Sequence, residues 1–378
     1  MKEIPRRYWR NLDIPLILAV LGLILLGLFV IYSASASRLL NLNADPFHYV
    51  KRQAIAALVG FMGLIVVLSI DYRAWRRWTK IGYLVTVLAL AVILITGKIA
   101  QGSQRWFSLG GFNIQPSELA KLVMIVVLAH LMEKQSNIEG RKIFLPFVII
   151  GVPMALVYLQ PDLGTAMVFV GIVFAMTYIG GGDLRHLGII AAVGIAAALA
   201  AILLSYYEVI KIIKPYQLRR LLIFLDPYSD PTGDGWNVIQ SMIAIGSGGF
   251  FGKGYLNGTQ GQLYFLPANH TDFIFSVAAE EFGFVGASAI LLLYAFFIWR
   301  GIKIAINAKD RFGSLLAVGC ISYFVCHLVI NIGMTMGIMP ITGLPLPFLT
   351  YGGSTLLTSL LAVGILLNVG LRRQKIMF

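Results

Sequence analysis

The chain has 378 residues, of which 58% are hydrophobic and only 12% charged, with a mean hydropathy of +0.82. About a quarter of the residues in an ordinary soluble domain are charged, so that class is excluded. The formal net charge of +13 would suggest a nucleic-acid partner in a soluble protein, but here the basic residues fall between long apolar runs and no nucleic-acid partner is expected.

Ten apolar runs follow one another at 13–33, 50–70, 81–97, 116–133, 143–160, 163–180, 187–206, 272–299, 312–337 and 350–371, each bounded by polar residues, Gly or Pro. Lipid satisfies no backbone hydrogen bonds, so repeated runs of about 20 apolar residues predict an all-α, polytopic membrane protein with ten transmembrane helices. Strand-like alternation is absent, which argues against a barrel. The first run follows Lys2, Arg6, Arg7 and Arg10 and ends in SASAS; it is too long for the apolar core of a signal peptide and reads as an uncleaved span. Cys320 and Cys326 lie six residues apart in one run, on different helix faces, and suggest neither a disulfide nor a metal site.

Counted on alternate sides of the ten spans, nineteen Lys and Arg fall on the side of the termini, including RAWRRWTK (73–80) and RGIKIAINAKDR (300–311). The short segments opposite hold five: Arg38, Lys51, Arg52, Lys98 and Arg105. Basic residues accumulate in cytoplasmic loops, so both termini are expected inside. Residues 1–378 then form a single transmembrane domain, with a large outer loop at 207–271 between the seventh and eighth spans. A loop of that length is functional or a small subdomain. Its segment KIIKPYQLRRLLIFLDPYSDP reads as an amphipathic interfacial helix, and GWNVIQSMIAIGSGGFFGKG as a helix or re-entrant piece ended by glycines.

Several constellations carry chemistry. In SQRWFSLGG, Arg105 and Trp106 offer a cation for phosphate and a ring for a sugar. QPSELAK opens the fourth span with Gln115, Pro116 at the first turn and Glu118 near the positive end of the helix. Lys121, three residues on, shares a face with Glu118; the pair is either a structural ion pair or a polar cavity wall. Asp162 in QPDL caps the sixth span or serves a site. GSGGFFGKG fails as a phosphate loop, since Gly248 stands one residue too close to Gly252 and Gly254 replaces the hydroxyl residue; it reads as a glycine hinge, with Lys253 able to meet an anion.

HTDF (270–273) places His270, Thr271 and Asp272 where the long loop re-enters the membrane, as a helix cap or a reactive group. Glu280 and Glu281 follow by eight and nine residues. On a continuous helix the three acids do not share a face, so at least one glutamate needs a cation or a neighbouring helix as partner. In 331–357, three prolines and several glycines break the chain before YGGST, which supplies Ser354. Non-helical backbone at membrane depth is tolerated only against protein or water, and such breaks often mark binding sites.

QRW, QPSELAK, QPDLGTA, GKG, LPANHTDFIFSVAAEEFG and ITGLPLPFLTYGGSTLL together resemble the SEDS family (shape, elongation, division and sporulation) over nearly the whole chain. The QPDLGTA and GLPLPF forms are more similar to its elongation branch than to its division branch. Thr350 stands where the family usually has Ser, and Ala268-Asn269 where an acid is common; neither alters HTDF.

The resemblance implies a peptidoglycan glycosyltransferase in the bacterial cytoplasmic (inner) membrane, acting on the outer face. It would polymerise lipid II onto a growing lipid-linked glycan strand, by inverting attack of a sugar 4-hydroxyl with undecaprenyl pyrophosphate leaving. Asp272 would be the general base. Glycosidases need a second carboxyl to protonate the leaving group, whereas pyrophosphate leaves as an anion and needs positive charge; Arg52, Arg105, Lys121 and Lys253 are the outer-side candidates. Gln115, Glu118, Trp106, Asp162, His270, Thr271 and Ser354 complete the expected substrate-binding set. A divalent cation (Mg or Mn) and a class B penicillin-binding protein transpeptidase partner are also implied, though no metal-ligand spacing locates the cation. Two other classes remain open: a lipid II flippase, which would spread polar residues toward the inner half, and a non-catalytic scaffold, for which Asp272 would be dispensable.

Overall fold

The computed structural model describes residues 11–96, 98–100, 103–109, 112–134, 140–210 and 213–373. A helix occupies each of the ten apolar runs: α1 (Ile14–Asn41), α2 (His48–Ser69), α3 (Thr79–Thr96), α4 (Pro116–Met132), α5 (Phe144–Leu159), α6 (Leu163–Ile179), α7 (Leu184–Tyr206), α11 (Ile274–Ile306), α12 (Arg311–Thr335) and α13 (Gly353–Leu371). Between α7 and α11 lie the shorter α8 (Pro215–Leu225), α9 (Asp234–Ser247) and α10 (Thr259–Gln262). Among the described residues, seven helices are long and apolar enough to cross a membrane, and α5 and α6 are shorter apolar helices. Large apolar side chains face outward along them, including Leu18, Leu58, Met62 and Val193, each more than half exposed. A belt of this kind suits lipid, and the chain is an integral membrane protein.

One departure from the all-helical expectation lies between α3 and α4. A small antiparallel sheet forms from β1 (Lys98–Ala100), β2 (Ser103–Leu109) and β3 (Phe112–Ile114), in the order β1-β2-β3. Phe107 pairs with Ile114 and Lys98 with Trp106. The strands are too short for alternation to stand out in the sequence.

The buried centre is α13, which packs along α2 and against α11 and α12. α1 lies flush against the segment before α13: a Cβ on Gly27 would come 2.4 Å from the Phe348 carbonyl oxygen. At one end of the bundle the basic segments are held by acids. Arg300 makes two bonds to Asp13 (3.0 and 2.7 Å), Arg73 meets Asp310 at 2.8 Å and Arg76 meets Glu133 at 2.7 Å. α1 starts and α11 ends here, so the HTDF turn ahead of α11 lies at the other end, called the site face below.

α11 is not continuous. Gly283 has φ 64° and ψ −164°, a region open essentially to glycine alone. The break releases backbone groups that the 246–254 segment satisfies. Lys253 and Gly254 N–H donate to the Glu280 and Glu281 carbonyls (both 3.0 Å), and Phe284 and Val285 N–H donate to the Gly249 and Phe250 carbonyls (2.9 and 3.1 Å). Cβ atoms would forbid this approach, since one on Gly252 would lie 2.1 Å from the Glu281 oxygen and one on Gly283 2.2 Å from the Gly252 nitrogen. The glycine-rich stretch is therefore a backbone clamp across a broken helix.

Candidate active site

Asp272 does not lie on the helix that follows it. Residues 267–273 form turns and α11 begins at Ile274, so the wheel angles drawn from a continuous helix do not apply. The turn is organised by Ala268, at φ 53°, whose carbonyl accepts from the N–H of Thr271 (3.1 Å) and Phe273 (3.3 Å) and from the Thr271 hydroxyl (3.2 Å). This presents a half-buried Asp272 toward the irregular segment 336–352. There Gly343, at φ 69°, comes so close that a Cβ would lie 3.3 Å from Asp272 Oδ2.

The two segments are joined. Tyr351 N–H donates to the His270 carbonyl (3.1 Å), and His270 and Tyr351 both pack on Tyr49 of α2 (ring centroids at 4.7 and 4.9 Å). Burial, and then the positive charge of Arg38, push the His270 imidazole down to about 4. The ring is therefore neutral near pH 7. Buried Gln53 of α2 grips the neighbouring backbone, donating to the Thr350 carbonyl (3.0 Å) and accepting from Gly352 N–H (3.1 Å). A cleft of about 450 Å³, lined in part by Arg38, Asn41, Tyr264, Ala268 and Asn269, opens beside the HTDF turn.

Behind the segment lies a buried ionic group. Lys121 is fully buried, with its ammonium 2.6 Å from Glu118 Oε1 and 3.0 Å from His327 Nε2 and its charge over the Tyr323 ring. His327 Nδ1 lies 2.9 Å from the Pro345 carbonyl. A carbonyl only accepts, so Nδ1 carries the proton and Nε2 receives the ammonium hydrogen. Lys121 is thus committed inside the protein and reaches the broken segment through His327.

Gln115, Asp162 and Ser354 form another set. Asp162 caps α6, accepting from Thr165 N–H and Oγ1 (both 3.0 Å), and also accepts from Gln115 Nε2 at 3.1 Å. Gln115 N–H donates to Ser354 Oγ at 3.2 Å. The capping reading of Asp162 holds, and the three residues tie together the starts of α4, α6 and α13. Lys253 is turned onto Glu280 (2.6 Å), whose Oε1 also accepts from Thr259 N–H (2.8 Å), Thr259 Oγ1 (2.9 Å) and Gln260 N–H (3.1 Å). Glu281 bonds Ser33 of α1. The partners these two glutamates required are a cation and a neighbouring helix.

Of the remaining residues, Arg52 is exposed on α2 beside Gln53, and Trp106 is half-buried in β2. Arg105 shares that strand, with its side chain outside the described residues. Sequence reasoning missed Tyr49, Gln53, His327, Asn331 and Tyr351. A polar residue inside an apolar run, as at 327 and 331, was the available sign.

Fold and site together define a polytopic membrane protein that presents one aspartate at a helix re-entry point, against backbone broken by prolines and glycines. The chain matches the family model described as cell cycle protein, FtsW/RodA/SpoVE, over residues 14–375 and belongs to that family. It is 40% identical over 362 residues to stage V sporulation protein E of Bacillus subtilis, covering 94% of this chain and 96% of the relative. It is 35% identical to peptidoglycan glycosyltransferase RodA of Treponema pallidum, covering 96% and 98%. A solved chain from a peptidoglycan synthase complex, described as coordinating polymerization and crosslinking, is 34% identical with a TM-score of 0.80, covering 96% of this chain and 98% of that one.

Proposed function

We propose that this chain is a peptidoglycan glycosyltransferase that polymerises lipid II, with Asp272 as general base. One observation carries the reading. Half-buried at the turn before α11, the Asp272 carboxylate stands at the end of the bundle against the irregular Gly343 loop, where a Cβ on Gly343 would lie 3.3 Å from its Oδ2. Asp272 accepts the proton of the acceptor sugar's 4-hydroxyl as that oxygen bonds to C1 of the donor. The C1–O bond to undecaprenyl pyrophosphate breaks with inversion, and the leaving group departs as an anion, without a second acid.

Arg38 in the adjacent cleft and Arg52 on α2 are exposed cations of this end, suited to the pyrophosphate. Among the described residues no three His, Cys, Asp or Glu side chains cluster as a metal cage. Magnesium commonly binds through one or two carboxylates and substrate phosphates, and on that chemistry Asp272 and the pyrophosphate would hold it and it would neutralise leaving-group charge.

The topology proposed with this function has ten spans in a single domain, both termini cytoplasmic, and the 207–271 loop and HTDF turn at the outer face of the bacterial cytoplasmic membrane. The gathering of Arg73, Arg76, Arg300 and Arg372 at the opposite end supports it. The overall identities, to a sporulation protein as well as to a RodA, do not select a branch; the QPDLGTA and GLPLPF forms favour elongation and rod shape. A class B penicillin-binding protein is the proposed partner, in keeping with the synthase complex of the structural relative.

Purified protein with its cognate transpeptidase and labelled lipid II tests the reading. Wild type is expected to form glycan chains and Asp272→Asn none. Chains from Asp272→Asn at the wild-type rate would end the assignment. Lipid II crossing vesicles without polymerisation would favour the flippase instead.

A further inference from the structure

Asn331 sits fully buried on α12. Its Nδ2 donates to the backbone carbonyl of Asp272 at 2.9 Å and to that of Leu344 at 2.7 Å. A primary amide has two hydrogens, and here each goes to a different side of the site: one to the HTDF turn, the other to the irregular segment. Leu344 directly follows Gly343, on which a Cβ would lie 3.3 Å from Asp272 Oδ2. One helical turn away on the same face, His327 holds the next carbonyl, that of Pro345. Two consecutive carbonyls of the segment are thus fixed to one helix, and the first shares its donor nitrogen with Asp272.

Leucine has the branching of asparagine without its polar atoms, but it would leave both carbonyls without this donor, so the amide answers a need of the backbone around it. The used end is the donor end, since Oδ1 of Asn331 is buried and accepts no hydrogen bond.

We propose that Asn331 is a positioning residue for sugar transfer: its amide nitrogen locks the backbone of Asp272 to Leu344, so that the carboxylate is placed by the broken segment as well as by its own turn. The inference rests on Asp272 being the base. Asn331 touches neither substrate nor reacting atoms. Its effect is on where the base stands, and a displacement of about 1 Å at a reacting group lowers a rate roughly a hundredfold.

Asn331→Leu, Asn331→Ser and Asp272→Asn, each in complex with the transpeptidase, are compared with wild type for kcat and KM on labelled lipid II and for thermal unfolding. Asn331→Leu keeps the branching and loses both donors; its unfolding temperature is expected to fall by a few degrees, because two carbonyls lose their partner, while kcat per folded enzyme falls about a hundredfold with KM unchanged. Asn331→Ser keeps one donor and should recover part of kcat despite its smaller size. If Asn331→Leu turns over like wild type while Asp272→Asn is inactive, the positioning role is wrong and Asp272 remains the base. If Asn331→Leu loses activity only in proportion to folded protein, or if Asn331→Ser is worse than Asn331→Leu, the residue is structural and the inference fails. If Asp272→Asn polymerises normally, the functional reading falls first and takes the inference with it.

Discussion

Lys121→Met separates two roles for the buried lysine. The ammonium is fully buried, 2.6 Å from Glu118 Oε1 and 3.0 Å from His327 Nε2. Removing it leaves a carboxylate that is itself only 2% exposed, and breaking a buried pair in this way costs about 3–5 kcal/mol. His327 loses a donor as well, adding about 1 kcal/mol. Thermal unfolding in detergent should fall by roughly 10 °C, and polymerisation should fall with the folded fraction. Glu118→Gln with Lys121→Met removes both charges and is expected to regain most of the stability, because a buried pair replaced as a unit is often close to neutral. The reasoning is refuted if Lys121→Met unfolds at the wild-type temperature yet polymerises poorly, with no recovery in the double variant. That pattern would make Lys121 a cation for substrate.

Gly283→Ala should cost at least about 3 kcal/mol, because its Cβ would lie 2.2 Å from the Gly252 nitrogen at φ 64°; unfolding near wild type would show that the clamp yields. His270 is held near 4 in the fold against about 6.5 in the unfolded chain, so between those values the unfolded chain binds more protons and acid weakens the fold. His270→Gln should therefore flatten the fall of unfolding temperature from pH 6.5 to 4. Burial opposes ionisation of Asp310, but hydrogen bonds from Gly313 N–H, Arg73 and Tyr72 hold it below its ordinary 3.8. Its stabilisation is present above that value and is lost as pH falls through the lower folded one. Asp310→Asn keeps an acceptor for Gly313 N–H but loses the charge that Arg73 bonds, and should cost about 1 kcal/mol at pH 7 and progressively less as the pH falls below 3.8, by thermal unfolding.

Helix positions were legible because lipid allows few alternatives: ten apolar runs became ten helices, and basic segments marked one end. Local chemistry was legible where partners are near in sequence, as for Glu118 with Lys121 and Asp162 with Thr165. Contacts across the chain were not. Nothing in GSGGFFGKG says that its backbone will pair with 280–285, because that depends on where α11 breaks. Lys253 looked like an anion site, and its commitment to Glu280 is a fact of tertiary packing. Asp272 was identified from motif resemblance and re-entry position, while Asn331 and Gln53 act on backbone carbonyls and N–H groups that carry no residue-specific sign.

Those last two residues point to a common principle at the site face. A helix satisfies its own backbone, so a segment broken by Pro340, Pro345, Pro347, Gly343 and Gly352 leaves carbonyls and N–H groups that membrane interior does not solvate. Buried side chains supply the missing partners: Gln53 for Thr350 and Gly352, Asn331 for Leu344, His327 for Pro345. Glu280 does the same for the first N–H groups of α10. Each of these side chains is held by a neighbouring helix or lies on one, so the irregular backbone inherits helix rigidity. A carboxylate placed against such a segment is fixed as firmly as one on a helix, yet it stands at the end of the bundle, where the proposed reaction requires it.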